Sequence, residues 1–96
     1  MRPKQPRGDL LSREFTLDQL PLQALGVVVR IEGDTPTLRR MVEMGLLPGT
    51  EVRALRRAPL GDPIEIWLRG YALTLRAEEA RSIYVRETPV LRKLRL

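Results

Sequence analysis

The most regular pattern of apolar and polar positions runs from residue 64 to residue 76. Its first half places Glu65, Trp67 and Arg69 between the aliphatic residues Ile64, Ile66 and Leu68. Because successive side chains of a strand point to opposite faces, this alternation predicts a half-buried strand with its aliphatic side inward and Trp67 on the outer face. Arg69-Gly70 then predicts a short reversal into a strand over Tyr71 to Arg76.

Three more segments have the composition of strands. Gly26 to Glu32 is rich in β-branched residues, and Thr50 to Arg57 follows it after a helix and a bend. In the second of these strands, Leu55 breaks the alternation, which indicates a β-bulge. Ile83-Tyr84-Val85 is predicted to be the last strand, after one or two helical turns over Ala77 to Ser82.

The segment from Thr35 to Gly49 predicts a helix followed by a bend. Thr35 is a suitable N-cap, and Pro36 fits the first helical position, where its missing N–H is not needed. Gly45 fits the left-handed residue that ends a helix. Pro48-Gly49 fits the two central positions of a type II turn, the second of which requires a positive φ.

The two ends of the chain differ from the rest. Residues 1–14 contain prolines and many charges, and we expect a flexible basic leader there. We expect the folded domain to span residues 15–87 and to begin with a helical turn over Thr16 to Leu20, in which Thr16 and Gln19 form a capping box. Residues 88–96 form a basic amphipathic tail.

Five short strands with small helical inserts leave no room for parallel crossovers. They predict a mainly β fold with short helices, a small five-stranded and partly closed antiparallel barrel. The predicted core contains Val27, Val29, Ile31, Val52, Ile64, Ile66, Leu68, Leu73, Leu75, Ile83 and Val85, with Leu38, Met41 and Val42 closing one end.

Four motifs in fixed order carry a resemblance to a known family. They are Met44-Gly45-Leu46, Pro48-Gly49-Thr50, Ala58-Pro59-Leu60-Gly61-Asp62-Pro63 and Arg69-Gly70-Tyr71 followed by Leu73 and Leu75. In this respect the chain closely resembles the FeoA family, the small cytosolic partner of the bacterial ferrous iron permease. The match covers about half of the chain directly and extends more loosely over residues 16–33.

The resemblance implies an SH3-like barrel and a regulatory, non-catalytic role in ferrous iron uptake. The implied partner is the cytosolic part of the ferrous iron permease, near its G-protein domain, and a homo-oligomer is a further option. The implied location is the cytoplasm, with peripheral attachment to the inner membrane through the partner. An alternative is the related SH3-like domain of iron-dependent repressors, which would require a helix-turn-helix and metal ligands.

The distribution of charge bears on a second alternative, a small-barrel nucleic-acid binder. The net charge is +5 and the isoelectric point is near 10.7. Residues 1–14 carry a balance of +2 and residues 88–96 a balance of +3, so that residues 15–87 are neutral. A phosphate-binding face requires Lys and Arg on the folded surface. The neutral body therefore argues against specific nucleic-acid binding.

The available side chains exclude most catalytic chemistry. The chain has no Cys and no His, which removes thiol nucleophiles, imidazole bases and the preferred ligands of zinc. Asp62 and Glu65 are close carboxylates without a nucleophilic or phosphate-binding neighbour. We expect no enzyme, no cofactor and no metal site. No apolar run approaches the roughly 20 residues of a membrane span, so stable membrane insertion is not expected.

The remaining candidates for a functional site are apolar residues at positions where a polar residue is usual. In the bend, Leu46 and Leu47 are adjacent, so one must pack inward while the other is available to a partner. Trp67 on the outer face is either an interaction hot spot or covered by the tail segment around Leu91 and Leu94. The predicted partner-binding residues are Met44, Leu46, Leu47, Trp67, Arg69 and Tyr71.

Overall fold

Six antiparallel strands form one sheet within residues 13–88, the part of the chain that the computed structural model describes. The elements are β1 (Glu14–Thr16), a 3-10 turn (Leu17–Gln19), β2 (Leu25–Ile31), α1 (Pro36–Glu43), β3 (Glu51–Arg57), β4 (Ile64–Leu68), β5 (Tyr71–Leu75), α2 (Ala77–Ala80) and β6 (Ile83–Glu87). Neither helix within these residues is long and apolar enough to cross a bilayer.

The strand order is β1-β6-β2-β3-β4-β5. Because β1 and β5 each pair with one neighbour only, the sheet is not fully closed. The predicted mainly β fold and partly closed antiparallel barrel are confirmed. The prediction of five strands missed β1, a three-residue strand that pairs Phe15 with Val85 of β6.

One apolar core lies inside the curved sheet. The alternation predicted for β4 is confirmed, since Ile64, Ile66 and Leu68 are at most 1% exposed. The bulge predicted at Leu55 is also confirmed, because the register between β3 and β4 shifts between Ala54 and Arg56. The other core residues are Leu17, Leu20, Val28, Leu38, Met41, Leu46, Val52, Ala54, Leu73, Leu75, Ala80, Ile83 and Val85.

The face predicted for β2 was wrong. Val28 is buried at 1% exposure, whereas Val27 and Val29 are only half-buried. The run Val27-Val28-Val29 is equally apolar on both faces, so its composition does not fix the register. A bulge between Val28 and Arg30 then returns Ile31 to the side of the core, against which it packs. Val42, predicted to close one end, is half-buried as well.

The first helical turn is shorter than predicted, and the prediction of a capping box was wrong. Leu17–Gln19 is one 3-10 turn, and Thr16 makes no side-chain capping bond. Thr16 Oγ1 instead donates to Asp18 Oδ1 at 2.5 Å, a local side-chain bond that competes with capping. Leu20 is extended, because the proline at 21 disfavours a helical conformation of the residue before it.

The predicted start of α1 is confirmed. Thr35 Oγ1 accepts a hydrogen bond from the N–H of Leu38 at 3.1 Å, and Pro36 occupies the first turn. Leu38 and Met41 face the core from the inner side of the helix, whereas Arg39 and Arg40 are exposed. The helix thereby lies over one end of the barrel and delivers its C-terminus to the bend.

Candidate partner-binding surface

The C-terminus of α1 ends in a Schellman motif. The N–H of Gly45 donates to Val42 O at 3.0 Å, and the N–H of Leu46 donates to Met41 O at 3.0 Å. Gly45 has a φ of 109°, as predicted for the left-handed residue of such a motif. The apolar contact that accompanies the motif is made here by Leu46 and Met41, both members of the core. The motif therefore fixes where the chain leaves the helix.

The bend after the helix exposes one of its two leucines. Leu46 is fully buried, while Leu47 is 41% exposed, which confirms that one leucine packs inward and one does not. The type II turn is also confirmed, since Gly49 has a φ of 94° and the N–H of Thr50 donates to Leu47 O at 2.9 Å. Leu46 does not reach the surface, so it is left out of the surface described below, and the partner-binding assignment remains a prediction.

Thr50 stabilises this bend from its buried side. It is 3% exposed, and its hydroxyl donates to Gly45 O at 2.9 Å while accepting from the N–H of Leu47 at 3.3 Å. The backbone of the turn is tied to β2 as well, because the N–H of Gly49 donates to Val28 O at 2.7 Å. The exposed side chain of Leu47 therefore stands on a rigid support.

The β4–β5 hairpin packs against the same bend. Its two-residue turn, Arg69-Gly70, has positive φ at both positions, which is the type I′ geometry that matches strand twist. The hydroxyl of Tyr71 donates to Met44 O. A Cβ on Gly45 would lie 3.5 Å from Cδ of Arg69. The hairpin thereby brings Arg69 and Tyr71 to the helix end, beside Met44.

Trp67 stands on the outer face of β4, as predicted, with 44% of its surface exposed. It lines an open cleft of about 560 Å³. Arg69 and Gly70 of the hairpin turn line the cleft as well, and so does Gly49 of the bend. We call Met44, Leu47, Trp67, Arg69 and Tyr71 the bend–hairpin surface. Met44 and Tyr71 are 40% and 37% exposed.

Leu25 and Arg53 line the cleft and were not among the predicted partner-binding residues. Leu25 pairs with Arg53, and Arg53 pairs with Trp67 in the register of the sheet. Leu25 is 9% exposed although it does not belong to the core, since it lies on the outer side. The sequence signal for the outer position of Arg53 was the alternation of β3, which places Arg53 and Val52 on opposite faces of the sheet. The missing information was which residue of β2 stands beside it.

The carboxylates considered for chemistry have structural partners. Glu65 pairs with Arg56 at 2.7 Å. Asp62 Oδ1 accepts from the N–H of Ala77 at 3.1 Å, at the start of α2, and lies 3.7 Å from Arg76. Within residues 13–88, no three His, Cys, Asp or Glu side chains come together as a potential metal site. These carboxylates therefore fix the β3–β4 turn and α2.

A separate ion-pair network lies where β1, β6 and β2 pair, at the far end of the strand order from the β4–β5 hairpin. Arg30 pairs with Glu32 at 2.9 Å and with Glu14, which also pairs with Arg86 at 3.2 Å. Hydrogen bonds to Glu32 and Glu14 raise the pKa of Arg30, which also stacks on the Tyr84 ring at 4.1 Å. This network attaches β1 to β2 and β6, away from the bend–hairpin surface. The tail segment that is the alternative cover for Trp67 lies outside the described residues.

Comparison with known proteins gives a family. The sequence model of the FeoA domain matches residues 15–87. A Fe(2+) transport protein A/Fe(2+) transporter FeoB fusion protein from Porphyromonas gingivalis is 35% identical over 69 residues, which make up 72% of this chain. The chain spans only 8% of the length of that relative.

Solved structures agree with this result. An FeoA-like protein from Clostridium acetobutylicum is 33% identical with a TM-score of 0.73, over 81% of this chain and 91% of its own. FeoA from Stenotrophomonas maltophilia, solved with zinc and described as a prokaryotic SH3 domain protein, is 31% identical with a TM-score of 0.66, over 74% of this chain and 88% of its own. The SH3-like barrel is thus confirmed, and the chain belongs to the FeoA family, a family of ferrous iron transport.

Proposed function

We propose that this protein is a non-catalytic accessory protein of ferrous iron uptake that binds the cytosolic part of the ferrous iron permease. The observation that carries the proposal is the Porphyromonas gingivalis relative, in which an FeoA-like part and the FeoB transporter belong to one chain. Covalent linkage gives two parts a high effective concentration for each other. If this chain pairs with a permease in the same way, its proposed location is the cytoplasm, at the inner membrane through its partner.

The bend–hairpin surface supports a role in binding. Met44, Leu47, Trp67 and Tyr71 expose apolar area around a rigid bend, and Trp and Tyr are frequent hot spots of protein interfaces. The rigid bend matters because a preorganised surface loses little conformational entropy on association. We propose that this surface contacts the permease near its G-protein domain.

Co-purification tests the proposal. The full-length chain and the full-length ferrous iron permease of the same genome are produced together, and the complex is isolated through a tag on the permease. We expect the chain to be retained, and we compare retention with and without guanine nucleotide. A permease that retains none of the chain in either condition would contradict the proposed function.

Two leucines provide a matched pair of variants for the surface. Leu47→Ser removes an exposed apolar side chain from the bend–hairpin surface, and we expect weaker retention. Leu60→Ser removes a leucine that is 95% exposed in the turn between β3 and β4, at the opposite end of β4 from the hairpin turn. We expect retention of this control to be unchanged. Equal loss in both variants would contradict the assignment to the bend–hairpin surface.

A further inference from the structure

Four side chains form a row across the outer face of the sheet. In the register of the sheet, Leu25 of β2 pairs with Arg53 of β3, and Arg53 pairs with Trp67 of β4. Trp67 pairs in turn with Ala72 of β5. Leu25 is nearly covered, whereas Trp67 is exposed between a long arginine and a small alanine. Trp67 therefore has one open side, over Ala72, and one side that faces the half-buried Arg53.

The cleft beside this row is shaped by two turns. Gly49 belongs to the bend and Gly70 to the hairpin, and a Cβ on either would meet nothing within 4 Å. Both glycines line the cleft of about 560 Å³ together with Trp67. An extended segment of another chain can therefore approach the backbone at both ends without meeting a side chain. The indole between them offers apolar contact area.

The charges of the cleft are unbalanced. Five arginines of the described region pair with carboxylates, namely Arg30, Arg39, Arg56, Arg76 and Arg86. Arg53 and Arg69 line the cleft, and neither guanidinium group makes a hydrogen bond or an ion pair within residues 13–88. Glu51 is the single acidic residue in its lining. A half-buried guanidinium without a partner gains from a carboxylate, which it binds through two parallel N–H bonds.

We propose that this cleft binds an acidic peptide segment whose central apolar side chain rests on Trp67 while its carboxylates pair with Arg53 and Arg69. The inference rests on the proposed function in one respect, because it assigns this segment to the cytosolic part of the permease. It adds the chemistry of recognition, an apolar anchor between acidic residues. Arg53 enters as a specificity-determining residue that lies outside the bend–hairpin surface.

Charge disfavours three other possible occupants of the cleft, namely the chain's own tail, a second copy of the chain and nucleic acid. The chain's own residues 88–96 contain Arg92, Lys93 and Arg95 and no acid, so that they are repelled by Arg53 and Arg69. A second copy that used the same cleft would bring like guanidinium groups together, with only Glu51 of each copy in opposition. Nucleic acid carries an anion at every nucleotide, whereas the lining of the cleft offers only the two guanidinium groups of Arg53 and Arg69.

The only tryptophan makes the cleft observable by fluorescence. The probe is a synthetic peptide with one phenylalanine between two runs of four glutamates, added to the full-length chain. We expect a saturable change in the fluorescence emission of Trp67 as the peptide binds, and added salt should weaken this binding. Replacing every glutamate by lysine should abolish the change, and replacing the phenylalanine by glycine should weaken binding about tenfold. Equal binding of the glutamate and lysine peptides would overturn the proposal.

Arginine variants locate the binding. Arg53→Gln and Arg69→Gln should each weaken the glutamate peptide about tenfold. Arg81→Gln is the matched control, because the Arg81 side chain is exposed, makes no hydrogen bond or ion pair within the described residues and does not line the cleft. It should bind as the unchanged protein does. If the three variants behave alike, the peptide is attracted by the overall charge and the proposal fails.

Two further measurements distinguish an acidic peptide from the other possible occupants of the cleft. Iodide should quench Trp67 efficiently in the free chain. Protection at all protein concentrations would identify the chain's own tail as the occupant, and protection that grows with concentration would identify a second copy. Tighter binding of a single-stranded oligonucleotide than of the peptide, with the same dependence on Arg53 and Arg69, would identify nucleic acid. Each of these results overturns the proposal.

The permease experiment keeps the two proposals distinguishable. A permease that retains the unchanged chain and the Arg53→Gln/Arg69→Gln double variant equally would overturn the role of the cleft and leave the proposed function standing. A permease that retains neither would overturn the proposed function, while the peptide titration still decides the chemistry of the cleft. We expect retention of the unchanged chain and loss of the double variant.

Discussion

The hydroxyl of Tyr71, at the start of β5, donates a hydrogen bond to the carbonyl oxygen of Met44, at the end of α1. The two residues are 27 positions apart in the chain. This bond attaches the β4–β5 hairpin to the bend, since β5 is an edge strand that pairs with β4 alone. The relative position of Trp67 and Leu47 depends on that attachment.

Tyr71→Phe is expected to lower the free energy of unfolding by about 0.5–1.5 kcal/mol, because it removes one hydrogen bond and little apolar area. A domain of this size then loses several degrees in Tm. Tyr84→Phe is the control, since the Tyr84 hydroxyl makes no hydrogen bond within the described residues. Thermal unfolding followed by circular dichroism compares the two. A larger loss in the Tyr84 variant would refute the role of the Tyr71 bond.

Thr50→Val tests the support of the bend. The substitution keeps the shape of a side chain that is 3% exposed but removes the hydroxyl that binds Gly45 O and the N–H of Leu47. We expect a loss of about 1–2 kcal/mol in unfolding free energy, because buried polar groups lose their partner. Thr50→Ser keeps the hydroxyl and should lose less. The measurement is urea unfolding, and equal losses in both variants would contradict the argument.

Most of the barrel could be predicted because its strands have one polar and one apolar face. In β4 a shift by one residue would expose Ile64 and Ile66, so the alternation determines the register. In β2 the same reasoning failed, since three consecutive valines permit either register and pairing with β3 and β6 decides between them. Strand β1 is too short for periodicity, and its position depends on pairing with β6.

Ile66→Ala tests the core that the alternation predicts. Ile66 is fully buried between β3 and β5, where it pairs with Ala54 and Leu73. Because the substitution leaves a cavity in a packed interior, we expect a loss of about 2–5 kcal/mol in unfolding free energy. Thr74→Ala on the exposed side of β5 is the control and should change it by less than about 0.5 kcal/mol. Chemical unfolding of both variants checks the expectation.

The candidate surface was only partly predictable. Local turn chemistry was enough to predict that one of the two leucines is exposed, and the alternation of β4 was enough for the outer position of Trp67. It did not indicate that Leu46 would be the buried leucine of the pair, which follows from the Schellman contact with Met41. The position of Arg53 beside Trp67 depends on the pairing of β3 with β4, and such pairing is a property of the whole sheet.

Trp67→Ala separates a role in binding from a role in stability. The indole is 44% exposed and outside the core, so its removal should leave the Tm within a few degrees of the unchanged protein. If Trp67 is a hot spot, the affinity for the permease should fall by about 2 kcal/mol or more, which is roughly thirtyfold. Thermal unfolding and permease affinity are measured on the same preparation. Unchanged affinity with a large loss of stability would show that Trp67 is structural and that the bend–hairpin surface has been assigned to the wrong residue.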